Sequence, residues 1–393
     1  MFRLFVDRLY CGFALCVLSV ALIGCGGGGS EGVVEMKLPE SFELDATVQE
    51  EIERNISRVR SVLAAEDYVD MSLLPEGGRF APPEHPGDPV TLKVGLPWIF
   101  NDQHAPLYIA KRLGFFAAEG IEVDLREGGP GRNPLALLAG GSVDIAVSSS
   151  GNAVIRLVAS ETGVDVVALG AMNRGSGYSW LHLDGDTPKG DRSQRVLKPG
   201  DFDGALIGIQ EGAELAQAYF LANFSYLKDR VRFVKAGFTP DALMAGKIDF
   251  YAALYENQPR LIEAQGFNNW IAFRFQDYGI VDFANVHVVL REVAEGRKEV
   301  LRRYLRAVCR ATEFLLSKPE EAAAITQGFS TTSQLSKEQI LRRFELQRSF
   351  IDADGKYPLM YTPLDTWDVI ASQLFTYKQI ELKGETYDGG AGD

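Results

Sequence analysis

From Thr91 onward the chain alternates between two hydrophobic rhythms. Leu92, Val94 and Leu96 recur at every second residue and predict a strand, because successive strand side chains face opposite ways. Pro106 opens a helical stretch through Lys111 to Glu119, and residues 121–125 predict a second strand. Asn133-Pro134 reads as an N-cap with proline at the first helical position, and Gly140-Gly141 as the stop. Strands are predicted over 143–148 and 164–170. A second series then runs strand 205–210, helix 215–227, strand 231–234, helix 240–245, strand 248–254 and strand 270–275. After the apolar run Asn285 to Val289, helical patterns lie near 293–316, 319–328, 336–350 and 363–376. This alternation predicts mostly parallel sheets covered by helices.

The two series share a phrase. Leu138-Ala139-Gly140-Gly141-Ser142-Val143-Asp144-Ile145 has a shorter counterpart in Met244-Ala245-Gly246-Lys247-Ile248-Asp249-Phe250. Each reads as a glycine-stopped helix, then a strand opening on hydrophobe-Asp-hydrophobe. Together with the matched order of elements, the phrase predicts two related α/β lobes.

Residues 1–90 lack this rhythm. Arg3 and Arg8 flank a short polar start, and residues 9–24 are almost uncharged. That run suits a signal peptide and is short for a membrane span of about 20 residues. It ends in Leu22-Ile23-Gly24-Cys25, which resembles the lipobox of bacterial lipoproteins. The resemblance implies that 1–24 is a leader and that Cys25 carries a lipid. Residues 25–90 are expected to form a tether with one amphipathic helix, from the capping Asp45 through Val48, Ile52, Ile56, Val59 and Leu63. Residues 381–393 read as a loose tail. Removing the leader takes Cys11 and Cys16 with it. Cys309 is then the one internal cysteine, and its apolar surroundings predict a buried structural thiol.

The 393 residues include 40 basic and 53 acidic side chains, a net charge of −13. An acidic balance argues against nucleic acid as a partner. The acidity is uneven: residues 25–90 hold 14 acidic and five basic side chains, whereas 91–393 carry only −5. Most of the charge therefore belongs to the tether, and the total does not select a cationic ligand. Such a tether is expected to be extended and repelled by an anionic membrane surface.

The stretch Trp98-Ile99-Phe100-Asn101-Asp102-Gln103-His104-Ala105-Pro106-Leu107-Tyr108-Ile109-Ala110-Lys111, followed by Leu113-Gly114-Phe115-Phe116 and Glu119-Gly120-Ile121, resembles the opening of the NMT1/THI5-like (SsuA/THI5-like) binding proteins. Gly128-Gly129-Pro130, Leu138 to Ala146, Tyr255 to Pro259, Asp277-Tyr278-Gly279, Tyr304 to Ala307 and Lys318 to Ala322 continue the resemblance over residues 91–375. It implies a periplasmic binding protein type II-like α/β fold, with two lobes, a hinge and a ligand cleft between them. On that basis lobe 1 is expected over 91–182 and 283–380, and lobe 2 over 183–282. It also implies a solute receptor for an ABC importer, with ligand classes that include thiamine-precursor pyrimidines, riboflavin, nitrate, taurine and alkanesulfonates.

In open α/β sheets, ligands bind beyond the carboxyl ends of strands. Those ends carry Trp98, Asn101 and His104; Ser148, Ser149, Ser150 and Asn152; Glu211; and Tyr255, Glu256 and Asn257. Tyr108, Tyr178 and Asp277 complete the candidate ligand residues. Aromatic faces with amide, hydroxyl and carboxylate groups suit a planar polar heterocycle. A thiamine-precursor pyrimidine is favoured, with riboflavin next. Arg132 and Arg174 keep an anionic ligand open. His85, His182 and His287 lack metal-ligand spacing, so no metal or cofactor is expected. GxSxG, HExxH, Walker A and Cys-x-x-Cys patterns are absent, which disfavours an enzyme. The alternatives are a pyrimidine-biosynthesis-type enzyme and a lipid-anchored sensor. The expected protein is a monomer at the cell envelope, held through Cys25 and partnered by a permease.

Overall fold

A computed structural model describes residues 89–129, 131–160, 163–210, 213–278, 280–329, 335–351 and 358–376. The expected leader, lipidated Cys25, tether helix and tail lie outside the described residues, as does Glu211.

Two five-stranded sheets organise the chain. The first has the order β2-β1-β3-β10-β4, with β1 Val90–Gly95, β2 Ile121–Arg126, β3 Ile145–Ser150, β4 Val166–Asn173 and β10 Ala284–Leu290. The second has the order β7-β6-β8-β5-β9, with β5 Tyr178–Leu183, β6 Leu206–Ile209, β7 Arg232–Lys235, β8 Phe250–Leu254 and β9 Trp270–Arg274. Helices α1 Ala105–Arg112, α2 Phe115–Ala118, α3 Pro134–Ala139 and α4 Gly151–Ala159 accompany the first sheet. Helices α5 Glu214–Asn223, α6 Asp241–Met244 and α7 Gln258–Glu263 accompany the second. After the return through β10 come α8 Arg291–Gly296, α9 Lys298–Ser317, α10 Pro319–Phe329, α11 Lys337–Ile351 and α12 Leu364–Thr376. The two expected α/β lobes are present.

Three details depart from expectation. The sheets are mixed rather than mostly parallel: β1 pairs parallel with β2 and β3, and β6 with β7 and β8. The strands entered just after each crossing between the lobes, β5 and β10, run antiparallel to both their neighbours. Secondly, β5 forms in a stretch, between residues 170 and 205, for which no strand is predicted. Its Ser179 is buried because the hydroxyl donates to the Ala253 carbonyl at 3.3 Å, so a polar residue fits an interior strand. Thirdly, the helix expected through Glu119 is broken at Gly114, whose φ of 73° lies in the left-handed region that favours glycine.

The hydrophobic alternation of β1 buries Leu92 and Val94 against α1 and α9, where Ile109, Leu301, Leu305 and Val308 meet them in one core. On the other face, Ala146, Val154, Val286 and Ile370 join a core that continues through Trp180 and Phe273 of the second sheet and through Phe202 and Phe220, which pack on it. Cys309 lies buried on α9, and burial pushes its thiol up to about 12.

The shared phrase does the same work twice. Asp144 Oδ2 accepts the backbone N–H of Lys93 at 2.8 Å, and Asp249 Oδ2 accepts that of Leu206 at 2.8 Å. Each aspartate thus ties the start of its strand to the neighbouring one, after a glycine at φ +67° (Gly141) or +65° (Gly246). Replacing Asp249→Ala is expected to cost about 1–2 kcal/mol, the worth of a charge-assisted bond, read as a lowered urea midpoint.

Candidate functional site

The carboxyl ends of β1 and β3 converge on a cavity of about 340 Å³. Its walls include Pro97, Gly129, Gly131, Arg132, Ser148 and Ser149. The loop after β2 comes close because Gly128 donates to the Trp98 carbonyl at 3.1 Å, and a Cβ at Gly128 would lie 2.1 Å from the Leu96 carbonyl oxygen. Asn133, also lining the cavity, caps α3 by accepting the Leu135 N–H at 2.9 Å. Ser150 caps α4 by accepting from Ala153 at 3.3 Å, while the Ser148 hydroxyl donates to the Ser150 carbonyl at 2.8 Å. The first N–H groups of α3 and α4 are thus bonded within the protein, Gly151 to the Phe283 carbonyl and Asn152 to Asp282, and exposed Ser149 with the Arg132 guanidinium supplies the donors. They suit a carbonyl, ring nitrogen or anionic group.

Beside the cavity, the lobes meet through aromatic rings and through buried charge. Trp98, half-buried after β1, touches Phe238 of the second lobe with ring centroids 5.4 Å apart. Below, Arg260 on α7 grips Asp102 of the first lobe with both terminal nitrogens, one contact being 3.0 Å. Arg343 on α11 lies 3.6 Å from Asp102 and 3.8 Å from Glu256. Asn257 accepts from both arginines, at 2.8 and 3.2 Å. All four charged side chains are buried. Burial raises the Glu256 carboxyl above its usual range, although Arg343 opposes it, and lowers Arg260 against the pull of Asp102. A Cβ at Gly177 would lie 1.9 Å from Glu256 Oε2, so the crossing segment needs glycine there.

The remaining candidates are distributed around this region. Asn101 caps the short turn Asp102–His104 by accepting the Gln103 N–H at 2.9 Å. His104 and Tyr108 are wholly buried, and Tyr108 stacks on Phe329 at 5.0 Å. Asn152 donates to Asp282, whose carboxyl burial pushes up to about 7 against that bond. Tyr178 begins β5, with its phenol raised by burial and by the nearby Asp282 and Glu256. Tyr255 packs edge-on against Trp270, and exposed Asp277 pairs with Arg274 at 2.7 Å. Arg174 donates to the Pro358 carbonyl at 3.0 Å. Among the described residues, no cluster of His, Cys, Asp or Glu could hold a metal ion.

Phe238, Asp102, Arg260 and Arg343 escaped the sequence reading. The rule that finds sites after strand ends reaches Phe238 once it is extended past β7. The charged residues sit in helical or loop patterns that give no sign of burial.

A two-lobed α/β molecule with a polar cavity at its strand ends has the architecture of a substrate-binding protein. Residues 101–322 match the family described as NMT1/THI5 like, and the chain belongs to that family. A formylaminopyrimidine-binding protein of Halalkalibacterium halodurans is 26% identical over 239 residues, spanning 59% of this chain and 68% of that protein. A 4-amino-5-hydroxymethyl-2-methylpyrimidine phosphate synthase of Candida albicans is 22% identical over 250 residues, spanning 61% and 71%. The crystal structure of the periplasmic aliphatic sulphonate binding protein SsuA from Escherichia coli shares the fold, with a TM-score of 0.55 and 16% identity over 74% of this chain and 92% of that one.

Two measurements test the buried groups. Arg260→Leu removes the bidentate partner of Asp102, leaving it Arg343 at 3.6 Å, and is expected to cost about 3 kcal/mol in chemical unfolding, with Asp102→Asn in the same chain recovering part of it. His104 titrates only near 3, because burial and then Arg343 oppose its charge, whereas an unfolded imidazole takes a proton near 6.5. The unfolded chain binds more protons between these values, so stability falls as pH drops through that window. His104→Gln should flatten this acid-side decline in thermal melts from neutral pH to pH 4, where an unchanged slope would contradict the assignment.

Proposed function

We propose that the chain is the solute receptor of an ABC importer and captures a small planar nitrogen heterocycle, with a thiamine-precursor pyrimidine favoured over riboflavin. The supporting observation is the cavity of about 340 Å³ at the strand ends, with the half-buried Trp98 on the segment beside it. That volume lies at the lower end of small-molecule pockets, roughly 300–1,000 Å³, and favours a single ring. The relative named for formylaminopyrimidine binding points the same way. Ser148, Ser149 and Arg132 would hold polar ring substituents. Trp98 would stack, and Glu256, Asn257 and Tyr178 would line the opposing lobe with Asn101, Ser150, Asn152 and Tyr255 supporting. Closure of the lobes, not chemistry, would signal occupancy.

A second reading takes Arg132 and Ser149 as the site of nitrate, taurine or an alkanesulfonate. The synthase relative raises an enzyme reading. Cys309 does not favour it, being buried with its thiol pushed up to about 12, far from a reactive thiolate. Lipid on Cys25 would hold the receptor at the cell envelope, beside its permease.

Thermal unfolding of the full chain against formylaminopyrimidine, 4-amino-5-hydroxymethyl-2-methylpyrimidine, riboflavin, taurine and nitrate separates these readings. A ligand at 100 times its Kd should stabilise by ~2.7 kcal/mol. A shift with taurine or nitrate and none with the heterocycles would reject the pyrimidine reading; turnover of a bound compound would reject the receptor.

A further inference from the structure

Phe238 is 46% exposed, yet its backbone surroundings are fixed. On one side Ala236 donates to the Ile209 carbonyl at 2.8 Å, and the Tyr251 hydroxyl donates to the Gly237 carbonyl at 2.7 Å. On the other, the Thr239 hydroxyl bonds Asp241 at the start of α6. The ring is thus presented from a braced loop that follows β7. It meets Trp98 from the other lobe, with planes inclined at 55° and centroids 5.4 Å apart. Trp98 in turn accepts the Gly128 N–H, next to the Gly129 wall of the cavity, and follows Pro97 in that wall. Aromatic rings from the two lobes therefore meet next to the Pro97 and Gly129 walls of this cavity, one residue along the chain from the lining itself on the Trp98 side.

We propose that Phe238 is the residue by which the second lobe covers a bound planar ring, and that it sets the preference for flat heterocycles over small anions. This rests on reading the cavity walled by Pro97 and Ser149 as the solute site. A flat ring entering there would be contacted by Trp98 from the first lobe and by Phe238 from the second. A tetrahedral or trigonal anion would use the hydroxyl and guanidinium donors instead. It would gain little from Phe238, because aromatic contact rewards extended apolar faces.

The test is calorimetric titration of the full chain with formylaminopyrimidine and with taurine, in wild type, Phe238→Ala, Phe238→Tyr and Tyr226→Ala. Tyr226 is an exposed aromatic of the same lobe, in the turn after α5, and serves as the control. Loss of the ring in Phe238→Ala should weaken formylaminopyrimidine about tenfold while the taurine Kd moves less than about twofold. Phe238→Tyr should recover most of the loss, and Tyr226→Ala should show none. Unliganded melting points equal to wild type would show that the exposed substitutions leave the fold intact. Formylaminopyrimidine bound within about twofold by wild type and Phe238→Ala overturns the role of Phe238 and leaves the solute site standing. Binding of taurine alone by wild type overturns the flat-ring preference while the cavity remains a solute site. Binding of neither probe overturns the cavity reading, and the proposal with it.

Discussion

The buried contact between Asp102 and Arg260 is the constraint on which the arrangement of the two lobes depends. It joins residues 158 apart in sequence, one in the turn after β1 and one on α7. Two charges about 4 Å apart attract by roughly 4 kcal/mol at an effective dielectric of 20. Desolvating each ion costs several kcal/mol, so the pair contributes little net stability. Its effect is geometric: the bidentate hydrogen bonds define one relation of the lobes, and moving them apart would break these bonds and return both charges to water. Arg343 and Glu256 extend the same demand to α11 and to the turn after β8.

Helix α11 is the element that carries this constraint along the hinge. Arg342 bonds Glu263 on α7 at 3.0 Å, and Arg260 donates to the Gln339 carbonyl at 3.2 Å. On its other side, Gln347 donates to Asn173 at the end of β4 at 2.8 Å, and the Phe350 carbonyl accepts from Arg174 at 2.8 Å. One helix is therefore bonded to both lobes where the chain crosses. The cavity lies on the first lobe, beyond the ends of β1 and β3, and Trp98, next to its Pro97 wall, touches Phe238 of the second lobe. The polar groups around the cavity sit on strand ends and helix starts, whose backbone is fixed by the sheet and by capping bonds.

Some of the site was legible in the chain itself. Asn133-Pro134 announced its helix start, and Asn133 caps that helix beside the cavity. Ser148 and Ser149 followed from the rule that ligands gather at strand ends, and both line the cavity. Local rules sufficed because capping and strand termination depend on neighbours within a few residues. The same rules missed β5, since Ser179 reads as polar until its hydroxyl is seen bonded across the sheet. They also gave no sign of the burial of Glu256, which is 2% exposed and lies 3.8 Å from Arg343.

By itself the sequence determined the alternation of strands and helices, the paired lobes and the repeated phrase that places Asp144 and Asp249 at matching strand starts. Each is a short-range preference written in spacing, capping and glycine placement. Only tertiary structure decided which charges are buried, which strands run antiparallel and which aromatic ring faces Trp98. Asp102, Arg260 and Arg343 look like surface residues in any local window. Their environment is set by helices returning from a distant part of the chain, and burial, unlike periodicity, is a property of what arrives from elsewhere.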